Sequence, residues 1–187
     1  MTIFSIATAF LLFSLGRSVA VAFNSEVDFA GKDRLIVVSR LAFTESLPMA
    51  HKTRIESIEG VETVVWRQWF GGTYIDRQNF FPKWPVPENY FYVYPEWELS
   101  EGAQEAFSRN ITGIIVGKDL AEKFGWNIGD RIPIIADIWP KKDGGVWEFD
   151  IVGTYINKKN GEQDEAFINW KYFDEARIYE TGRPGNY

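Results

Sequence analysis

The groups best suited to chemistry in this chain are carboxylates: Asp119 with Glu122, Glu96 with Glu98, and Asp164 with Glu165 lie close enough in sequence to suggest acid–base pairs. Glycoside hydrolysis needs two such groups facing one another across a cleft, a relation that sequence spacing does not specify. Acidic pairs are ordinarily solvated surface charge, and that is the reading taken here. The chain has no Cys and a single His, which excludes thiol nucleophiles, disulfides, thiolate metal sites and multi-histidine metal sites. His51 stands beside Lys52 and Arg54 on an early helix turn and reads as an exposed structural residue. Gly71-Gly72 and Gly144-Gly145 lack the Lys-Ser/Thr ending and the strand-to-helix context of a phosphate cradle, and there is no nucleophile elbow. Asn110-Ile111-Thr112 fits a glycosylation sequon by chance. Asp130 is expected to hold the Gly129 turn by accepting from backbone N–H groups rather than to bind a metal. These residues give no catalytic site, no metal site and no cofactor site.

Composition points the same way. The 187 residues suffice for one domain with a core, and 45% hydrophobic with 25% charged residues is a folded balance. A formal charge of −6 with scattered basic residues argues against nucleic acid as a partner. Eight Trp, eight Tyr and fifteen Phe require a core, or an exposed platform, built from large flat side chains.

The elements that must position those side chains begin with an uncharged run from Met1 to Gly16, continued past Arg17 as Ser18-Val19-Ala20-Val21-Ala22-Phe23. That is about twenty residues, enough for a transmembrane helix, with Arg17 snorkelling toward the headgroups. The alternative is a signal peptide cleaved after Ala20-Val21-Ala22. No Lys or Arg precedes the apolar run, which favours the membrane helix and suggests a chain that starts inside a longer product. Either way the remainder lies outside the cytoplasm.

Arg34–Arg40 reads as a buried strand and Pro48 opens a helix that Gly60 stops. Val61–Phe70 is a second strand, completing a strand-helix-strand unit. From Gly71 the composition changes. Phe80-Phe81-Pro82-Lys83-Trp84-Pro85-Val86-Pro87 and Tyr90-Phe91-Tyr92-Val93-Tyr94 suggest an aromatic-rich inserted subdomain over residues 71–110, closed by a short helix capped by Ser100. A strand follows at Ile111–Val116. A helix from Lys118 stops at Gly125, and Gly129 takes a positive φ before the strand at Arg131–Ile134. Ile134–Trp139 and Val146–Tyr155 form a hairpin around Asp143-Gly144. Ala166–Asn169 is a last strand and Tyr172–Tyr179 a last helix. The fold class is α+β: a mixed sheet of strand-helix-strand units, carrying the insertion and preceded by one transmembrane helix.

The order of Phe10-Leu11-Leu12-Phe13, Ile55-Glu56-Ser57-Ile58-Glu59-Gly60-Val61, Ile115-Val116-Gly117, Leu120-Ala121, Phe124-Gly125 and Gly129-Asp130-Arg131-Ile132 resembles the MacB-like periplasmic core domain of FtsX-type ABC transporter permeases. Glu59 stands where that family often has Pro. The resemblance implies a transmembrane helix at residues 1–25, the first span of a bacterial inner-membrane permease, and a partial core domain at 26–187, periplasmic or extracellular. The family's permeases continue through the rest of the core and three more spans, so the chain is expected to be a fragment or a truncated protein that cannot transport alone. Non-catalytic itself, it would couple ATP-driven motion of the membrane helices to export or release of substrate. ATP would be bound by a separate cytoplasmic ABC ATPase subunit or domain. Further implied partners are a second permease copy or paralogue and a periplasmic adaptor protein. The rival reading is a secreted carbohydrate-binding module with a cleaved signal peptide. On either reading Phe81, Trp84, Tyr90, Tyr92 and Trp97 are the candidate partner or substrate surface, set against the plainer alternative that Phe81, Trp84, Tyr90, Phe91 and Trp97 form a satellite core packed on the short helix.

Overall fold

In the computed structural model, residues 2–29, 33–40, 47–159, 161 and 163–178 are described. The chain divides into two units, Met1–Phe43 and Thr44–Tyr187.

The first unit is built on α1, Thr2–Phe29, a helix of 28 residues that runs past the boundary expected at residue 25. Its described side chains, from Phe4 to Ser18, are exposed. Thr8 Oγ1 and Ser18 Oγ donate to the carbonyls of Phe4 and Ser14, each at 2.9 Å. These hydroxyls are thus satisfied within the helix. Among the described residues no helix is long and apolar enough to cross a membrane, and the span at residues 1–25 remains an expectation of the sequence. The buried strand expected at Arg34–Arg40 is not found. Residues 34–39 take no regular structure and Leu35 is 96% exposed, because a β-branched run becomes a strand only when another backbone satisfies its N–H and C=O groups.

The second unit opens with α2, Ala50–Glu56, which buries none of its residues. Its sheet comprises β1 (Thr73–Tyr74), β2 (Lys83–Val86), β3 (Trp97–Leu99), β4 (Gly113–Gly117), β5 (Arg131–Ile135), β6 (Trp147–Asn157) and β7 (Ala166–Asn169). The strand order is β1-β5-β6-β4-β7-β2, with β3 also on β6. β4 with β6 and β2 with β7 are parallel and the other pairs antiparallel, so the sheet is mixed and the α+β class is the one observed. Residues 71–110, expected as an inserted subdomain, supply β1, β2 and β3 to this same sheet. The residues expected as a strand over 61–70 are extended, and Gln68 and Phe70 donate to Pro85 and Lys83 of β2 at 3.1 Å each.

Alternation along the strands makes two cores. Ile114, Val116, Ala166 and Ile168 face one side with Phe70, Trp147, Phe149 and Phe173; Ile115 and Phe167 face the other with Tyr90, Phe91 and Phe107. The pairing of β4 with β6 shifts between Ile114↔Ile151 and Ile115↔Gly153. This bulge at Val152 moves Tyr155 into the second core although Trp147, Phe149 and Ile151 point into the first. α5 (Lys118–Phe124) and α6 (Trp170–Ala176) cover the first face; α3 (Tyr90–Val93) and α4 (Ala103–Arg109) cover the second.

The turn chemistry agrees with the sequence at several points. Gly125 ends α5 with φ 69 and Gly129 has φ 100, and Asp130 Oδ2 accepts from the Asn127 N–H at 2.7 Å. Two expectations are corrected. Ser100 does not cap α4: its cap is Gly102 with φ 74, and Ser100 Oγ instead accepts from Thr154 N at 3.0 Å. β5 ends at Ile135, so no strand continues to Trp139. The loop beyond it is held by indoles, Trp139 Nε1 donating to Trp69 O and Trp147 Nε1 to Trp139 O, each at 2.8 Å.

Candidate functional site

The aromatic segment is shaped by its prolines. Pro85 lies in β2 where only its carbonyl is used, accepting from Gln68, so the missing N–H costs no hydrogen bond on that side. Alternation then divides the side chains. Lys83 is buried toward the first core, in which Phe81 also lies, while Trp84 and Val86 face the second.

The five candidate surface residues consequently have different fates. Phe81 and Tyr90 are each 2% exposed and belong to the two cores rather than to a surface. Trp97 is half-buried, with its ring centroid 4.5 Å from Phe167 and 5.2 Å from Tyr94 in a stacked pair. Trp84 is half-buried between Trp69, at 5.1 Å, and the Arg67 guanidinium, 4.3 Å from its centroid. Tyr92 alone of the five is open, at 75% exposure. Burial drives the Tyr90 hydroxyl above the ordinary tyrosine range, opposed by nearby Arg67, so it remains a neutral phenol. The five do not form one platform.

The structure reveals two features that the sequence reading did not identify. The first is Lys83, a lysine with no exposed surface. Its Nζ donates to Phe81 O at 2.6 Å and lies 3.8 Å from the Phe81 ring centroid and 5.2 Å from that of Phe80. Desolvation lowers its pKa to about 7, with Asp137 opposing. The signal was present in the alternation of β2, which directs residue 83 inward once residue 84 faces the other core. The second is a pair of shallow grooves meeting at Trp66. One, of about 370 Å³, is bounded by Lys52, Glu56, Glu62 and Asn89; the other, of about 380 Å³, by Pro87, Asn169 and Trp170. Trp66 packs edge-on to Trp170 at 5.6 Å, and Lys52, paired with Glu56 at 3.0 Å, stands over the Trp66 ring.

The acidic residues first considered do not assemble into a reacting pair. Glu98 is paired with Lys158 at 2.8 Å, and Asp119 and Glu122 lie exposed on α5. The best-formed carboxylate site is Asp150. Arg131 donates to it twice, at 2.7 and 3.1 Å, with Thr112 Oγ1 at 2.6 Å and Asn110 Nδ2 at 3.1 Å. These bonds, Arg131's first, hold its carboxyl well below the usual carboxylate range. The network joins the turn before β4 to β5 and β6, and it accounts for both Asn110 and Thr112 of the sequon. Among the described residues no group of three or more His, Asp or Glu could hold a metal ion.

A family model described as the MacB-like periplasmic core domain matches residues 2–186. Among solved structures, the crystal structure of the periplasmic region of MacB from Actinobacillus actinomycetemcomitans is similar, with 11% sequence identity and a TM-score of 0.48 over 72% of this chain. The match spans 62% of that structure's chain. No curated protein matches.

Proposed function

Because the chain belongs to the MacB-like periplasmic core domain family, we propose that it works as the extracytoplasmic domain of an ABC transporter permease, transmitting ATP-driven movement of membrane helices to export or release of substrate. The observation that supports this most is the extent of the family match, which takes in α1 together with the sheet unit. In this reading α1 anchors the chain in the bacterial inner membrane and the sheet unit lies outside it. The chain does no chemistry of its own. ATP is bound and hydrolysed by a separate cytoplasmic ATPase, a second permease copy or paralogue completes the membrane part, and a periplasmic adaptor docks outside. The carbohydrate-binding alternative needs a flat aromatic platform, and the burial of Phe81 and Tyr90 removes two of its five rings.

Tyr92 is the partner or substrate contact in this reading, since it is exposed on α3 while its neighbours Tyr90 and Phe91 secure the helix to the core. The test is Tyr92→Ala in cells carrying the whole transporter, with Trp84→Ala as the comparison. Tyr92→Ala is expected to leave the melting temperature within about 2 °C, as for a surface change, and to reduce export with the ATPase still bound. Trp84→Ala, which removes a ring held between Trp69 and Arg67, should lower stability as well. Normal export by a stable Tyr92→Ala permease would remove Tyr92 from the working surface. Recovery of the chain wholly in the soluble fraction would remove the anchoring role of α1.

A further inference from the structure

The extended residues 61–70 carry a backbone edge that the sheet uses only in part. Gln68 and Phe70 donate to Pro85 and Lys83 of β2, and in an extended chain the N–H and C=O groups of every second residue point to the same edge. Those of Glu62, Val64 and Trp66 therefore point along the line that a longer β2 would follow. β2 stops short of them: it ends at Val86, Pro87 has no N–H, and the chain turns at Asn89 into α3. Among the described residues, the N–H and C=O groups of 62–66 find no backbone partner. The ladder thus ends while its template runs on.

The two grooves at Trp66 lie along that edge. Glu62, Val64 and Trp66 border one of them with Lys52 and Asn89, and Trp66 borders the other with Pro87 and Trp170. The second is walled by rings, Trp66 standing edge-on to Trp170, and suits an apolar side chain. The first is ionic. Its cation Lys52 is paired with Glu56, and Lys171 beside the second groove is paired with Glu88. Among the described residues, Glu62 is then the lining charge left without an ion-pair partner. An occupant has to bring one positive charge to Glu62 and an apolar side chain to Trp66. Those positions are four residues apart, so both meet the same face of a strand whose side chains alternate.

We propose that residues 62–66 are a strand-addition site for an extended peptide segment of a partner protein, one that carries an apolar residue and, four residues later, a lysine or arginine. The segment takes up the line of β2 and runs antiparallel to 62–66, as β2 runs to 68–70. Its apolar residue therefore comes first, against Trp66 and Trp170, and its basic residue last, against Glu62. Main-chain bonds to Glu62, Val64 and Trp66 supply affinity, and the two grooves supply specificity. Asn89, exposed at the seam of the grooves, does not spend its side chain on capping α3 and can bond the segment's backbone. The site does not depend on the transport role.

The experiment is hydrogen–deuterium exchange of the full chain with the peptide acetyl-Thr-Leu-Thr-Val-Thr-Lys-Thr-amide and with its counterpart carrying Glu in place of Lys. In the free chain the amides of 62–66 should exchange rapidly while those of Gln68 and Phe70 are slow. The lysine peptide in excess should slow 62–66 by about tenfold or more, the equivalent of one net backbone hydrogen bond, and the glutamate peptide should not. Glu62→Lys, an exposed change that leaves Gln68 and Phe70 slow, should reverse the preference between the two peptides. Slow exchange of 62–66 in the free chain, no slowing by the lysine peptide, or a preference unchanged in Glu62→Lys each overturns the site.

Discussion

Two short runs of the chain have nearly the same composition and opposite fates. Leu35-Ile36-Val37-Val38 is between 53% and 96% exposed, whereas Ile114-Ile115-Val116 has no exposed surface at all. β4, which holds the second run, is paired on both edges, with β6 and β7, and its alternate side chains enter both cores. The first run takes no regular structure. Hydrophobicity and β-branching thus favour a strand, but ladder partners distant in sequence decide whether one forms. Lys83 teaches the converse: a strand with partners on both sides buries even a lysine.

The largest expected effect lies in β4. Ile115→Ala removes a side chain packed among Phe167, Phe107 and Tyr155 in the second core, and should destabilise the protein by about 2–5 kcal/mol in denaturant titration of the full chain. A loss below about 1 kcal/mol would mean that the second core is looser than its burial indicates, and the contrast with the 35–38 run would weaken.

The contrast also explains what was legible in the sequence. Elements defined by local chemistry are readable: α5 with Gly125 behind it, the positive φ of Gly129 and the Asp130 turn. The apolar runs of β4 and β7 also read as strands, but which run finds partners distant in sequence cannot be read from the run itself. Residues 34–40 carried the pattern of a buried strand without the ladder, and 71–110 looked separable because its three strands find partners, β5, β7 and β6, that lie later in the chain. Composition leaves the aromatic residues open between surface and satellite core for the same reason. Phe81 and Tyr90 are adjacent in composition to Tyr92, and only tertiary packing separates two core residues from one exposed residue. Lys83 was overlooked because a lysine is almost never fully buried.

The second prediction sharpens the lysine half of the comparison. Lys83 has its pKa lowered from 10.5 to about 7, so the folded state binds its proton less readily than the unfolded chain. Stability is therefore lost as the pH falls from about 10.5 to 7, and the full cost is present below 7. Lys83→Met should raise stability on the order of 3 kcal/mol at pH 6, after allowance for the lost bond to the Phe81 carbonyl. The gain should shrink steadily toward pH 10, and a constant gain across that range would mean that the buried charge is not its source.

The smallest expected effect is the other half of the matched pair. Leu35→Ala removes as much apolar side chain as Ile115→Ala does, yet Leu35 is 96% exposed, so folding recovers almost none of its transfer energy. The substitution should change stability by no more than about 0.5 kcal/mol, the range of an ordinary surface change. The ratio of the two losses, measured in one buffer by the same denaturant titration, then isolates context, because residue volume and chemistry are held nearly constant. A loss at Leu35 of 2 kcal/mol or more would show that the side chain is covered in the protein in solution. In that case the 35–38 run would have a partner strand or surface there, and its resemblance to Ile114-Ile115-Val116 would extend from composition to burial.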